Sequence, residues 1–412
     1  MKSREFFKTI TLESVLEHIE TFPHMEKETV PLEICQDRVL ADDIISDIDL
    51  PDFMRSTVDG YAVQASSTFG ASEGTPALFK VVGGVEMGRP PNISVGPGEA
   101  VKIPTGGMLP HGCDSVVMVE HTQPLDQETI EVLKSCAPLQ NVVEIGEDVA
   151  KGKKVLERGR RIRPSEVGLL AALGITTVPV FRQPTVAIIS SGDEIVPVEV
   201  QPHLGQLRDV NGYTLMGMVK KAGGIPLYMG IVRDRFEDLF QYCQEALSRA
   251  DIVVLSGGSS IGTRDFTIDV IQVFPDSQIL AHGVSISPGK PTILARIGRK
   301  AFWGLPGHTV SAMITFLVMV SPLIEKMSGL LPRFRNTSYR IPAILSRNVA
   351  SAMGRVDFIR VRLTRDGDRT YAHPILGKSG LIHTMVNADG LIKIDINSEG
   401  LDRGSEVEVI MF

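Results

Sequence analysis

The sequence predicts a multidomain chain of mixed α/β and β class, built around a central α/β domain whose sheet is mostly parallel. Two observations carry this. From Pro184 onward, short apolar runs alternate with amphipathic helical segments, the pattern of a parallel sheet with helices on both faces. On either side of that region, short β-like runs are separated by Gly and Pro turns, which predicts one β domain before it and another after it. A length of 412 residues exceeds one hydrophobic core and accommodates about two to four domains.

The elements follow in order. TLESVLEHIETF places Leu12, Val15, Leu16 and Ile19 at helical spacing, so an amphipathic helix opens the chain. Between residues 49 and 144 the runs FKVV, AVKIP, DSVVMVE and TIEVLK alternate with turns, giving an inserted small β domain. The segment RPSEVGLLAALGI returns to a helix, with Ser165 as N-cap after Pro164 and Gly174 as the stop. This helix is expected to rejoin the first one, so that residues 1–48 and 145–180 form an N-terminal helical and linker domain.

Residues 181–330 make the α/β domain. TVAIIS, IPLYMGIV and DIVVLS read as strands; NGYTLMGMVKKAGG, FEDLFQYCQEALSRA and DFTIDVIQVF read as helices. Residues 331–412 return to short strands (YRIPAI, FIRVRLT, LIKIDI, EVEVIM) and form a C-terminal β domain.

Composition narrows the function. Hydrophobic residues at 43% and charged residues at 22% are ordinary globular usage. A net charge of −7 argues against a general nucleic-acid binder, whose affinity comes from neutralising phosphates, yet leaves room for a local cationic pocket. Cys35, Cys113, Cys136 and Cys243 lie far apart without metal-like pairing and read as buried thiols. The charged N-terminus has no apolar signal core, and the longest apolar stretch, Ala312 to Val320, is shorter than the ~20 residues of a membrane span. A soluble cytoplasmic protein is expected, with no nucleic-acid or membrane partner.

Two loops echo each other, IISSGDE and VLSGGSS. Both leave the carboxyl ends of predicted parallel strands, where open α/β sheets bind ligands. Gly192, Gly257 and Gly258 let backbone N–H groups approach an anion, and Ser190, Ser191, Ser256, Ser259 and Ser260 add hydroxyls. A phosphate or another oxyanion is the ligand this chemistry suits, although tight strand-to-helix turns have the same composition. No GxGxxG follows a strand, and GVSISPGKP fails as a Walker loop because Pro291 stands where Ser or Thr would bind magnesium. GxSxG and HExxH are absent.

Acids gather at the same strand ends. Asp193 and Glu194 follow the first, Asp234 the second and Asp265 the third. Carboxylates at one edge of a sheet suit Mg²⁺, which binds through one or two of them plus substrate oxygens. Asp265 could equally cap its own helix.

In SPGKPTI, the turn after Ser287 projects Lys290, a compact cation suited to an oxyanion. GLPGHTVSA is a further Gly/Pro turn, through Pro306 and Gly307, with His308 at a helix start. Outside the α/β domain, DLPDFMRSTVDGYAV clusters Asp49, Asp52 and Asp59, while PTGGMLPHGCDSVV and EIGEDVAKG carry Thr105 and Asp148. The basic run KGKKVLERGRRIR reads as a solvated face.

With VDGYAV, PTGGMLPHGCDSVV, GEDVAKG, SSGDEIV, GIVRD, LSGGSSIGTRDFT, PGKP and GLPGHTVSA in order, the whole chain resembles the molybdopterin molybdotransferases. This is the MoeA-like family, related to the C-terminal part of gephyrin. The resemblance implies four domains, among them a molybdopterin-binding α/β domain and a barrel-like C-terminal β domain, and a homodimer. It implies Mg²⁺-dependent insertion of molybdate into adenylylated molybdopterin with release of AMP.

Carried over by motif, Asp59, Asp148, Glu194, Asp234, Asp265 and Lys290 are the catalytic candidates, with Asp234 and Asp265 as metal ligands. Thr105, Ser190, Ser191, Gly192, Ser256, Gly257, Gly258, Ser259, Ser287, Pro306 and Gly307 are the binding candidates. Asp59 is implied to act on the site of the dimer partner. Transient contacts with a molybdopterin adenylyltransferase and with acceptor molybdoenzymes follow from the same resemblance. Two departures stand out: Ser287 replaces a basic residue common before PGKP, and PGHT replaces a common PGNP. Two rival readings are a non-catalytic scaffold that kept the fold and a stand-alone adenylyltransferase. The set of acids opposes the first and the extra domains oppose the second.

Overall fold

The computed structural model describes residues 9–257, 266–335 and 339–412. It divides into two compact units: one runs to Asp42 and takes in Gly159–Arg163 and Thr177–Phe412, the other is Asp43–Arg158 with Pro164–Thr176.

The first unit is organised on a six-stranded sheet of β1 (Thr185–Ser191), β2 (Ile225–Val232), β3 (Ile252–Ser256), β4 (Ser277–His282), β5 (Ile293–Ile297) and β6 (Lys300–Leu305), in the order β2-β1-β3-β6-β5-β4. The pairs β1/β2, β1/β3 and β3/β6 are parallel, and β5 and β4 extend the sheet antiparallel. Strand periodicity sends alternate residues to opposite faces. Val186 and Ile188 therefore pack with Trp303, α1 (Leu12–Glu20), α2 (Asn211–Ala222) and the helix α5 (Thr309–Met327). Ala187 and Ile189 pack on the other face with α3 (Phe236–Arg249) and α4 (Thr267–Val273). Trp303 is fully buried, so its truncation to Ala would cost about 3–5 kcal/mol.

The 19 residues of α5 reach the length and apolar character of a membrane span, beyond the nine-residue run visible in the sequence. Val310, Ile314, Phe316, Met319, Val320, Leu323 and Ile324 are all buried in the core, so this is a central helix of the unit. A π turn over Phe316–Val320 interrupts it.

The C-terminal strands β7 (Arg340–Leu345), β8 (Val356–Asp366), β9 (Arg369–Pro374), β10 (Gly390–Ile394) and β11 (Glu406–Met411) close on themselves as a five-stranded barrel, because β8 pairs with both β9 and β10. RTYAHP, which forms β9, carries no clear strand signal and was not read as one. The short strand Ile286–Ser287 pairs in parallel with Val356–Asp357 and so fastens the α/β domain to the barrel.

In the second unit, strands Ser115–Met118, Gly60–Val63, Glu99–Ile103, Ala77–Gly84, Thr129–Val132 and Thr122–Pro124 form one sheet around Val63, Phe79, Val117, Ile130 and Val132. One expectation is corrected here. The helix begins at Pro164 itself, since Pro suits a first turn that has no N–H partner, and Ser165 lies inside it rather than capping it. That helix belongs to the second unit, whereas α1 is buried in the core of the first. All four cysteines are free; burial pushes the Cys113 and Cys243 thiols up to about 12, which keeps them unreactive.

Candidate functional site

Register brings the serine loops together. Ser190 lies opposite Ser256, and Ser256 opposite Leu305, so β1, β3 and β6 end on one edge. Ser190 does not offer its hydroxyl proton to that edge. It donates to both oxygens of Asp209 at 2.9 Å, and Asp209 is only 2% exposed. The same carboxylate accepts from Gly212 N–H at 2.9 Å and Tyr228 O–H at 2.6 Å. Burial, then Asp209, holds the Tyr228 phenol well above its usual range. A Cβ on Gly212 would stand 2.4 Å from the Asp209 carboxylate, so only glycine allows this start to α2.

Asn211 completes the arrangement. Its Nδ2 donates to Ser256 Oγ at 2.7 Å and to the Gly307 carbonyl at 2.8 Å. A carbonyl can only accept, which fixes the amide orientation. Its Oδ1 is buried without a partner. Neither Asp209 nor Asn211 was singled out in the sequence, although DVNG before a helical run carries the Asp/Asn signature of a helix start.

Ser191 Oγ donates to Asp234, whose own N–H reaches Asp193 Oδ1 at 3.4 Å. Gly257 follows β3 with φ +111°, and a Cβ there would lie 2.2 Å from the Ser191 carbonyl oxygen. Gly192 is buried at the same edge, and Glu194 is exposed just beyond it. Gly258, Ser259, Ser260 and Asp265 lie outside the described residues. Among the described residues no three His, Cys, Asp or Glu side chains form a ready-made metal cage. Asp193 and Asp234 lie together at this edge, and Mg²⁺ commonly binds through one or two carboxylates that share it with substrate phosphates.

Lys290 sits elsewhere, in a cavity of about 520 Å³ between the α/β domain and the barrel, lined also by Ser287, Pro306, His308, Ser311 and Arg355. The Lys290 carbonyl accepts from Val284 N–H at 2.9 Å, and Thr292 Oγ1 donates to the Gly289 carbonyl at 2.6 Å, which sets the turn. Arg355 pairs with the buried Asp357 at 3.0 Å. From the barrel, Arg360 donates to Gly377 O at 2.9 Å and Thr384 Oγ1 at 2.8 Å, fixing the loop that carries Ser379. The Ser379 carbonyl accepts from Val310 N–H at 3.0 Å, satisfying one free donor at the start of α5, and its hydroxyl meets His308 Nδ1 at 3.0 Å. Two basic side chains, several hydroxyls and a helix N-terminus suit an oxyanion. Arg355 was missed because it lies in an unremarkable turn, SAMGRVDF, remote in sequence from PGKP.

In the second unit, Asp59 Oδ1 accepts from Thr105 N–H at 2.7 Å and Thr105 Oγ1 at 3.0 Å. These bonds, the backbone one foremost, hold the Asp59 carboxyl below the usual range. The Thr105 loop docks on Met54–Ser56, with Gly106 N–H to Ser56 O at 2.8 Å and Leu109 N–H to Met54 O at 2.9 Å. Exposed Asp148 lies in a loop tied to the preceding turn, its N–H donating to Leu50 O at 3.0 Å. One segment, residues 50–59, thus positions Asp59, Thr105 and Asp148.

Comparison with known proteins agrees along the chain. Residues 10–174 match the MoeA N-terminal region (domain I and II), 187–326 a probable molybdopterin binding domain, and 342–412 the MoeA C-terminal region (domain IV). A molybdopterin molybdenumtransferase of Haemophilus influenzae is 36% identical over 336 residues, 81% of each chain. A putative molybdopterin biosynthesis protein of Methanocaldococcus jannaschii is 34% identical over 96% of each chain. The solved structure of a molybdopterin biosynthesis MoeA protein from Pyrococcus horikoshii superposes with a TM-score of 0.81 at 38% identity, covering 98% of this chain and 99% of that one. With the sheet-edge serines and acids, the closed barrel and full-length similarity in place, the chain belongs to the MoeA family.

Proposed function

We propose that this transferase inserts molybdate into the dithiolene of adenylylated molybdopterin and releases AMP, acting as a cytoplasmic homodimer. The observation that carries the reading is the cavity holding Lys290 and Arg355, a cationic, hydroxyl-lined space in a chain whose net charge is −7. Ser287, Ser311 and Pro306 shape it around a tetrahedral oxyanion, with Gly307 beside them.

The sheet edge takes the pterin phosphate. Ser190 and Ser191 spend their protons on Asp209 and Asp234, so Ser256 keeps the hydroxyl proton free to reach a phosphate oxygen. Backbone at Gly192 and Gly257 approaches the same anion, and Gly258 and Ser259, by their place in the same motif, are the further binding candidates. Asp234, with Asp265, would hold Mg²⁺, which neutralises charge on the phosphoanhydride when bound. Glu194 borders this edge. In the second unit Asp59, pinned by Thr105, and Asp148 present carboxylates that hydrogen-bond substrate. Incubation with adenylylated molybdopterin, Mg²⁺ and molybdate tests the reading: AMP and pterin-bound molybdenum should appear together. Failure of both with folded protein overturns it.

A further inference from the structure

We infer that His308 couples oxyanion binding in the Lys290 cavity to uptake of a proton. The inference rests on the oxyanion reading of that cavity and adds a residue whose charge the ligand controls. His308 lines the cavity with Lys290 and Arg355. Arg355 is already paired with Asp357 at 3.0 Å, so its charge is partly spent. Lys290 is exposed in the turn after Pro288. His308 is the lining residue that can add a further positive charge near neutrality, because an imidazole ordinarily titrates between about pH 5 and 8.

The hydrogen bond to Ser379 makes the switch feasible without a broken contact. In the neutral ring, Nδ1 accepts from the Ser379 hydroxyl, which leaves the proton on Nε2. In the protonated ring, Nδ1–H donates to the same hydroxyl, which rotates to accept, and Nε2–H remains a donor. Arg360 holds the Ser379 loop through Gly377 and Thr384, and Val310 N–H holds the Ser379 carbonyl, so the partner stays in place in both states.

The groups facing the imidazole set the direction of coupling. Lys290 and Arg355, with its Asp357 partner, line the same cavity, His308 precedes the N-terminal amides of α5, and Lys378 adjoins Ser379 in sequence. A bound dianion places negative charge beside the imidazole and favours the ring that carries both protons. Proton uptake on binding follows, and affinity falls as pH rises.

Calorimetric titration of the full chain with molybdate, and with sulfate as a dianion that does not itself titrate in the range, tests this at pH 6, 7 and 8 and constant ionic strength. Repeating the titration in two buffers of different ionisation enthalpy counts protons without any mutation. The wild type should take up a fraction of a proton near pH 7 and bind roughly fivefold or more tightly at pH 6 than at pH 8, the scale of one added charge near the surface. His308→Asn should bind with little pH dependence and no proton uptake. A wild type that binds without proton uptake, or a His308→Asn protein with the same pH profile, overturns the coupling while leaving the oxyanion reading intact. If neither anion binds the wild type at any pH, the oxyanion reading fails and the coupling with it.

Discussion

Asn211 holds Ser256 through a 2.7 Å hydrogen bond from Nδ2 to Oγ, and the same amide group holds the Gly307 carbonyl at 2.8 Å. One side chain at the start of α2 therefore ties the end of β3 to the turn that precedes α5. Pro306, the neighbour of Gly307, lines the cavity, so the same amide connects the sheet edge to that turn.

Replacing Asn211 by Ala removes both bonds and leaves the buried Ser256 hydroxyl oxygen without its donor. The expected loss is about 1–3 kcal/mol of stability, the cost of one buried unsatisfied group. AMP release should fall further than stability alone accounts for, because Ser256 loses its orientation. Urea denaturation and turnover of the same preparation check the two effects; unchanged values in both would remove Asn211 from the site.

Lys290→Ala should weaken binding of molybdate by about tenfold or more, since it removes the cavity's unpaired cation. Ser287→Lys should leave binding unchanged or strengthen it, because it restores a second positive group next to the turn. Titration calorimetry with molybdate reads both. Equal affinity in Lys290→Ala and wild type would move the anion elsewhere.

Much of this was legible from residues alone, and the limits have physical causes. Strands of the α/β sheet stood out because buried parallel strands are continuous apolar runs, as in DIVVLS. The loop motifs singled out Lys290, which the structure puts in a cavity. What composition could not reveal was allocation of protons: Ser190 looks like an anion donor until Asp209 is seen to take its hydrogen. Arg355 and Ser379 were equally hidden, since each reaches the cavity only because the barrel packs beside the strand Ile286–Ser287. The helix α5 looked shorter in sequence because Ser321, Pro322 and the polar residues Glu325 and Lys326 break the apolar run without breaking the helix.

Asp59 offers a pH-dependent test. Thr105 lowers its folded pKa relative to the unfolded chain, so the contribution is present above the unfolded value and is lost as pH falls through the folded one. Thr105→Ala keeps the backbone N–H and removes the hydroxyl. The Asp59 carboxyl should then titrate higher than in wild type but still below an unperturbed Asp. Side-chain carboxyl NMR across the acid range measures this directly; an unmoved Asp59 would show that the hydroxyl bond contributes nothing.

The acids at the sheet edge make the sharpest prediction. Asp234 accepts from Ser191 and lies beside Asp193, so it is oriented before any ligand arrives. If it shares Mg²⁺ with substrate phosphate, Asp234→Asn keeps the hydrogen bond from Ser191 but loses the charge. AMP release should fall by roughly 10²-fold or more, the scale of removing a group that stabilises developing charge, and half-maximal activity should need more Mg²⁺. Asp265→Asn, by its place in the same motif set, should do the same. Ser191→Ala removes only the bond that orients Asp234, so its loss should be smaller, within about tenfold, and its Mg²⁺ requirement should move less. Stability should hold in Asp234→Asn and Ser191→Ala, because neither side chain belongs to the hydrophobic core. Turnover at a series of Mg²⁺ concentrations separates the cases. A folded Asp234→Asn protein with wild-type turnover and wild-type Mg²⁺ dependence would take the metal away from this edge.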